Sequence, residues 1–258
     1  MNTIVTSRMN SVLAPILPQF KPDIILCFTF AHRVGPEICQ IPTYGAVNIH
    51  PSVLPLYRGP NPLRQFYEGA DIFGATAHRM AEGYDTGEIL SQEYEPMPEI
   101  ATQATAVRWG QLIKKCIATG MERAISGQPG IVQDDSRATY AAPYNEEEKW
   151  IDLTEPTAVI MRKTLGLNLA GGLAKTIIQG RVFKIHSAHY VANVRRMPAG
   201  SIIKQGVGIH EVATADGAVK LITELYDADK KYGHVLPSAM FFGQQVGSEY
   251  LSLSAQGV

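Results

Sequence analysis

The sequence predicts an α/β fold: a piece of a doubly wound sheet followed by a small β-barrel. Three observations predict it. Asp23–Phe30 is a continuous apolar run of strand length, rich in β-branched and aromatic residues, as in strands covered on both faces. The first fifty residues alternate in the order α-β-α-β. From Ala174 onward, short β-rich runs follow one another at close intervals, separated by turn residues.

The elements follow in order. Met9, Val12, Leu13 and Ile16 carry helical spacing that Pro18 is expected to break. The first strand, within Ile24–Phe30, is followed by a short helix near Pro36-Glu37-Ile38 and a second strand, Gly45–His50, stopped by Pro51. A loop dense in Pro and Gly runs through Pro62, a helix spans Leu63–Glu68, and Gly69 caps it. Phe73–Met80 and Glu88–Tyr94 alternate like strands around Ala81–Gly87. Thr102–Ser126 is the longest helical pattern, with Ala106, Trp109, Leu112, Ile113, Cys116 and Ile117 on one face, and Gly127-Gln-Pro-Gly130 ends it.

The composition then changes. Residues 139–150 are polar, lack apolar periodicity and read as a linker between a first domain, 1–138, and a second, 151–258. Glu155–Leu165 is helical in pattern. Thr176–Gln179, Val182–Val191, Ser201–Lys204, Ile209–Thr214 and Val219–Tyr226 are strand candidates, with Asp216-Gly217 as the hairpin turn between the last two.

The chain of 258 residues is 45% apolar and 18% charged, which excludes disordered and fibrous classes. Its longest apolar stretch, Ile24–Ala31, is far shorter than the roughly 18 residues a membrane span needs. No signal-peptide pattern follows Met1, so a cytoplasmic protein is expected. The three cysteines (27, 39 and 116) stand far apart, and His32, His78, His186, His189, His210 and His234 form no ligand spacing, so no metal is expected. A net charge of −1 argues against a strongly basic nucleic-acid binder, although residues 1–150 balance at −4 and residues 151–258 at +3.

Asn48 and His50 lie two apart at the C-terminal end of the second strand, so their side chains share a face where open α/β sheets bind ligands. Asp85 sits in the Gly-bounded turn Gly83-Tyr-Asp-Thr-Gly87. An amide donor, an imidazole and a carboxylate together suit acyl transfer. On spacing alone two readings stand. An isolated Asn-x-His is most often a satisfied polar pair at a strand end, and an isolated Asp between glycines a turn residue.

The full string reads Asn48-Ile-His50-Pro-Ser52-Val-Leu-Pro55-Leu-Tyr57-Arg58-Gly59-Pro-Asn-Pro62, then Tyr84-Asp85-Thr-Gly87. It resembles the signature of folate-dependent formyltransferases, the likeness being nearest to the methionyl-tRNA formyltransferases and extending to those acting on glycinamide ribonucleotide and sugar amines. The resemblance runs from about Asp23 to the C-terminus. It implies a partial Rossmann-like formyltransferase sheet followed by a small OB-like β-barrel. It also implies 10-formyltetrahydrofolate as formyl donor and a primary amine as acceptor. Asn48, His50 and Asp85 match the catalytic triad, with Asn48 and a protonated His50 on the tetrahedral oxyanion and Asp85 supporting His50. The folate is expected against Arg33, Val34 and Gly35 in one loop and Met80, Glu82 and Tyr84 in another. Ser52, Tyr57, Arg58 and Gly59 form a loop that either positions the site or meets the acceptor, an exposed, solvated Arg58 being the plain alternative.

Members of this family open with further βα units, each of roughly 30 residues. The sequence starts instead at the helix before Ile24–Phe30, so an N-terminally incomplete formyltransferase is expected, with that strand as an exposed apolar edge. The likeness of the C-terminal half makes initiator methionyl-tRNA the expected acceptor. A small amine such as an amino sugar nucleotide, hydrolysis of the donor, and an inactive remnant are the alternatives.

Overall fold

The computed structural model describes residues 9–30 and 33–226. Ala31, His32, Lys230, Lys231 and His234 lie outside the described residues. The chain divides into two compact units, Met1–Ala101 with Arg108–Glu148, and Thr102–Val107 with Lys149–Val258.

The first unit is built on a four-stranded sheet of order β1-β2-β3-β4, comprising β1 (Ile25–Phe28), β2 (Ala46–His50), β3 (Ile72–Arg79) and β4 (Ile89–Pro96). β1 and β2 run parallel, joined through the short helix α2 (Pro36–Cys39), whereas β2–β3 and β3–β4 are antiparallel. β1 stands at the edge of this sheet with Leu26 44% exposed, so its continuous apolarity does not correspond to burial on both faces. Helix α1 (Met9–Phe20) continues past the expected break at Pro18 and stops where Lys21 turns to a φ of +46°. Asn10 of α1 accepts a hydrogen bond from the Gly35 N–H at 3.2 Å, tying α1 to the entry of α2.

Helix α3 (Arg64–Glu68) ends at Gly69, whose φ of +72° is the left-handed cap that the sequence predicts. The long helix α4 (Gln103–Ile125) lies against the sheet from Arg108 onward. Trp109 donates its indole N–H to Gly74 O at 2.8 Å and stacks edge-on against Phe66, which in turn meets Phe73. Phe66 and Phe73 are fully buried, and burial of each contributes about 2–3 kcal/mol. At Gly120 a Cβ would lie 2.3 Å from that of Ala77, so the absence of a side chain sets how closely α4 approaches β3.

The segment that reads as a linker is pinned to the first unit along most of its length. Residues Thr139 and Ala141 hydrogen-bond both sides of the Arg58 backbone at 2.9 and 2.7 Å. Glu148 accepts a bidentate pair from Arg64 at 2.8 and 2.9 Å.

The second unit holds a curled antiparallel half-barrel of order β5-β6-β9-β8-β7, formed by β5 (Lys175–Ile178), β6 (Arg181–Tyr190), β7 (Ile202–Gly206), β8 (Ile209–Ala213) and β9 (Ala218–Leu225). Its helix α5 (Thr157–Leu169) extends four residues beyond the predicted end because Leu167 and Leu169 continue the buried side. Asp216, in the β8–β9 hairpin turn, accepts from the Thr157 N–H and hydroxyl at 2.8 and 2.9 Å. A turn residue thereby caps the start of α5. No helix among the described residues is long and apolar enough to cross a membrane.

Candidate active site

β2 is an inner strand of its sheet, paired on both sides, and its backbone is therefore fixed by two ladders. Asn48 and His50 alternate onto one face of it, with Asn48 half-buried and His50 buried. Asp85 reaches the same place from the turn after β3, where it adopts a left-handed φ of +55°. That turn is tightly packed. A Cβ at Gly87 would lie 1.8 Å from Arg79 O, so only glycine fits.

The structure brings the three polar groups together. Asn48 Nδ2 donates to Asp85 Oδ1 at 3.2 Å, and His50 Nδ1 faces Asp85 Oδ2 at 3.5 Å. The Gly59 N–H donates to that second oxygen at 2.9 Å. Burial alone would raise the Asp85 pKa, but the His78 contact, the charge interaction with His50 and the Gly59 N–H outweigh it and bring it to about 2. Asp85 is a carboxylate at neutral pH.

His50 Nε2 lies 2.7 Å from Tyr57 O, and a carbonyl only accepts, so this nitrogen carries the hydrogen. Nδ1 then presents its lone pair toward Asp85. Desolvation pushes the His50 pKa below its ordinary value, although Asp85 and the Tyr57 carbonyl pull the other way. Burial thus favours the neutral ring, and the adjacent carboxylate favours the charged one. The protonated His50 that the resemblance implies belongs to the tetrahedral stage, once a proton has been delivered.

The loop after β2 is organised by its own hydrogen bonds. Ser52 is fully buried and donates to Leu56 O at 2.8 Å, and Tyr57 takes a φ of +60°. Arg58 is turned inward, 2% exposed, rather than solvated. Its guanidinium donates to Gln133 Oε1 at 3.2 and 2.8 Å and to Asp135 at 2.7 Å. Gln133 in turn donates to Asp85 O and Gly87 O at 2.8 and 2.7 Å. One carboxamide thus links the Arg58 loop to the Asp85 turn.

The residues expected to meet the folate fall into two groups. Arg33 and Glu82, both exposed, face each other at 3.9 Å, so the two loops approach one another. Tyr84 is also exposed, at 64%. Val34 and Gly35 are buried, and the Gly35 N–H is taken by Asn10. Met80 is half-buried with its N–H on Ala46 O. Sequence reasoning passed over His78 and Gln133. His78 is paired with Asn48 across β2 and β3, a register that no local pattern encodes. Nothing local marks Gln133. Among the described residues no cluster of His, Cys, Asp and Glu could hold a metal ion.

Comparison with known proteins places the chain in a class. The description "Formyl transferase" matches residues 5–125, and "Formyl transferase, C-terminal domain" matches residues 144–235. The methionyl-tRNA formyltransferase of Syntrophomonas wolfei is 30% identical over 225 residues, covering 83% of this chain and 69% of that one. That of Caldicellulosiruptor saccharolyticus is 30% identical over 233 residues, covering 86% and 72%. Among solved structures, HypX from Aquifex aeolicus with tetrahydrofolic acid superposes with a TM-score of 0.70 at 20% identity, covering 90% of this chain and 40% of HypX. The sugar 3N-formyl transferase WlaRD gives 0.57 at 17% identity, covering 83% and 77%. At these identities the structural likeness concerns the fold. The chain belongs to the formyl transferase family.

Proposed function

We propose that the protein transfers the formyl group of 10-formyltetrahydrofolate to a primary amine, and that the amine is the amino group of initiator methionyl-tRNA. The observation that carries the reading is the meeting of Asn48, His50 and Asp85 within 3.2–3.5 Å at the end of an inner strand. The neutral amine attacks the formyl carbon, and the carbonyl π pair moves to oxygen, where an Asn48 N–H stabilises the oxyanion. The attacking nitrogen loses its proton to the Asp85–His50 pair. The proton rests on His50 Nδ1, and the adjacent carboxylate stabilises the imidazolium. Collapse of the tetrahedral intermediate re-forms the carbonyl and breaks the bond to the folate nitrogen, which takes up that proton. Arg33, Glu82 and Tyr84, exposed where the two loops approach, are the side chains proposed to flank the folate.

Two features support tRNA as the acceptor. The relatives at 30% identity are methionyl-tRNA formyltransferases. Residues 151–226 carry nine Lys and Arg against five Asp and Glu, a balance suited to phosphate contact. The test is formyl transfer by the purified chain from 10-formyltetrahydrofolate to charged initiator tRNA, beside a panel of amino sugar nucleotides and a reaction without acceptor. Formylated methionyl-tRNA supports the proposal. Turnover on a sugar amine, formate release alone, or no turnover overturns it in favour of the corresponding alternative.

A further inference from the structure

His78 is buried in the site without a role in the reading above. It is 2% exposed and stands directly opposite Asn48 in the β2–β3 pairing. Its Nδ1 lies 2.8 Å from Arg79 O. Because a carbonyl only accepts, Nδ1 carries the hydrogen, and Nε2 of the neutral ring keeps its lone pair. That lone pair lies 3.2 Å from Asn48 Nδ2, so the amide is the donor. The same amide nitrogen donates to Asp85 Oδ1, also at 3.2 Å, and that oxygen is itself 3.4 Å from His78 Nε2. These two acceptors also settle which end of the Asn48 side chain is nitrogen, since neither tolerates an amide oxygen at that distance.

The Asn48 amide is therefore engaged by two acceptors before any ligand arrives. A neutral formyl oxygen is a poor competitor for an N–H already bonded to an imidazole nitrogen. A tetrahedral oxyanion is a much better one, because a charged acceptor makes the stronger bond. We propose that His78 is a positioning residue: it holds, aimed and satisfied, the Asn48 N–H that passes to the oxyanion as charge develops. The exchange favours the transition state over the bound substrate, which is the condition for raising kcat rather than affinity. The inference rests on the role given to Asn48 under Proposed function.

The test compares His78→Leu, which cannot accept, with His78→Gln, whose carboxamide oxygen can, each shown by far-UV circular dichroism to be folded. In His78→Leu, kcat for formyl transfer falls on the order of 100-fold, while KM for 10-formyltetrahydrofolate stays level or drops. His78→Gln recovers at least a tenfold part of the loss. In protein labelled with 15N-asparagine, the Asn48 side-chain amide protons of the wild type are distinct and slow to exchange. They move together in His78→Leu and stay apart in His78→Gln. A wild-type kcat in His78→Leu, a rise in KM alone, a His78→Gln no better than His78→Leu, or Asn48 signals unmoved by the leucine overturns the proposal. A wild type that formylates no amine fails the functional reading instead, and the Asn48 signals then report separately on the hold of His78.

Discussion

Gly59 donates its backbone N–H to Asp85 Oδ2 at 2.9 Å, the same oxygen that faces His50 Nδ1. The loop that follows β2 thus holds the carboxylate arriving from the turn after β3. Gly59 does so at a φ of +102°, a conformation that L side chains rarely adopt. A Cβ there would meet Ala141 O at 3.5 Å, an ordinary contact, so strain and not collision decides the outcome. Gly59→Ala is expected to cost about 1–3 kcal/mol. As the N–H swings away, kcat should fall by roughly tenfold. Steady-state kinetics and a thermal melt measure the two effects.

Asp85→Asn removes the charge that pulls the His50 pKa upward against burial. Loss of kcat is expected to exceed about 100-fold. The pH profile carries a sign. Since neutral His50 is the working form, kcat/KM should rise with pH through a value below 6.5, the ordinary value for the ring. In the residual activity of Asp85→Asn this acid limb should move to still lower pH. An upward shift would contradict the assignment.

Both groups also link stability to pH in one direction. The Asp85 pKa is about 2 when folded and 3.8 for an unperturbed side chain. Its contribution, about 2 kcal/mol, is complete above 3.8 and disappears as pH falls through about 2. The depressed His50 pKa adds a term that is full above 6.5 and is lost on acidification. Urea denaturation at a series of pH values should show stability declining below pH 6.5. The lowest part of that decline should be absent in Asp85→Asn.

Gln133→Met keeps volume and removes four hydrogen bonds, two accepted from Arg58 and two donated to the Asp85 turn. The guanidinium is left with Tyr140 and with Asp135, whose side chain is 81% exposed. An expected loss of about 3 kcal/mol follows from stranding a buried cation. It should appear as a lower urea midpoint, together with a fall in kcat.

Gly120→Ala sets two effects against each other. Helix propensity favours alanine by about 1 kcal/mol. The new methyl would stand 2.3 Å from the Ala77 Cβ, so α4 must lift off β3. Overpacking of this kind costs about 1–3 kcal/mol, and net destabilisation is the expected result of a thermal melt. Pairing it with Ala77→Gly should recover part of the loss.

Much of this was legible in the sequence for identifiable reasons. β2, β3 and α4 announce themselves through apolar period, and Gly69 and Gly127 through the chirality that their turns demand. Asn48 and His50 share a face because a strand repeats every two residues. Other features depend on tertiary partners. Whether β1 is buried depends on what neighbours it, which its own residues do not encode. Arg58 is hidden because Gln133, seventy-five residues away, satisfies it. His78 becomes visible only once the register sets it opposite Asn48.

The hold of Thr139 and Ala141 on the backbone of Arg58 bears on how the gene can be dissected. A fragment stopped behind Ile125 keeps every strand of the first sheet and the whole of α4, yet it discards Gln133, Asp135 and the two rungs that brace the Arg58 loop. Such a fragment would retain its scaffold and forfeit its chemistry. A minimal independent version of this half must extend at least through Glu148, the anchor for Arg64.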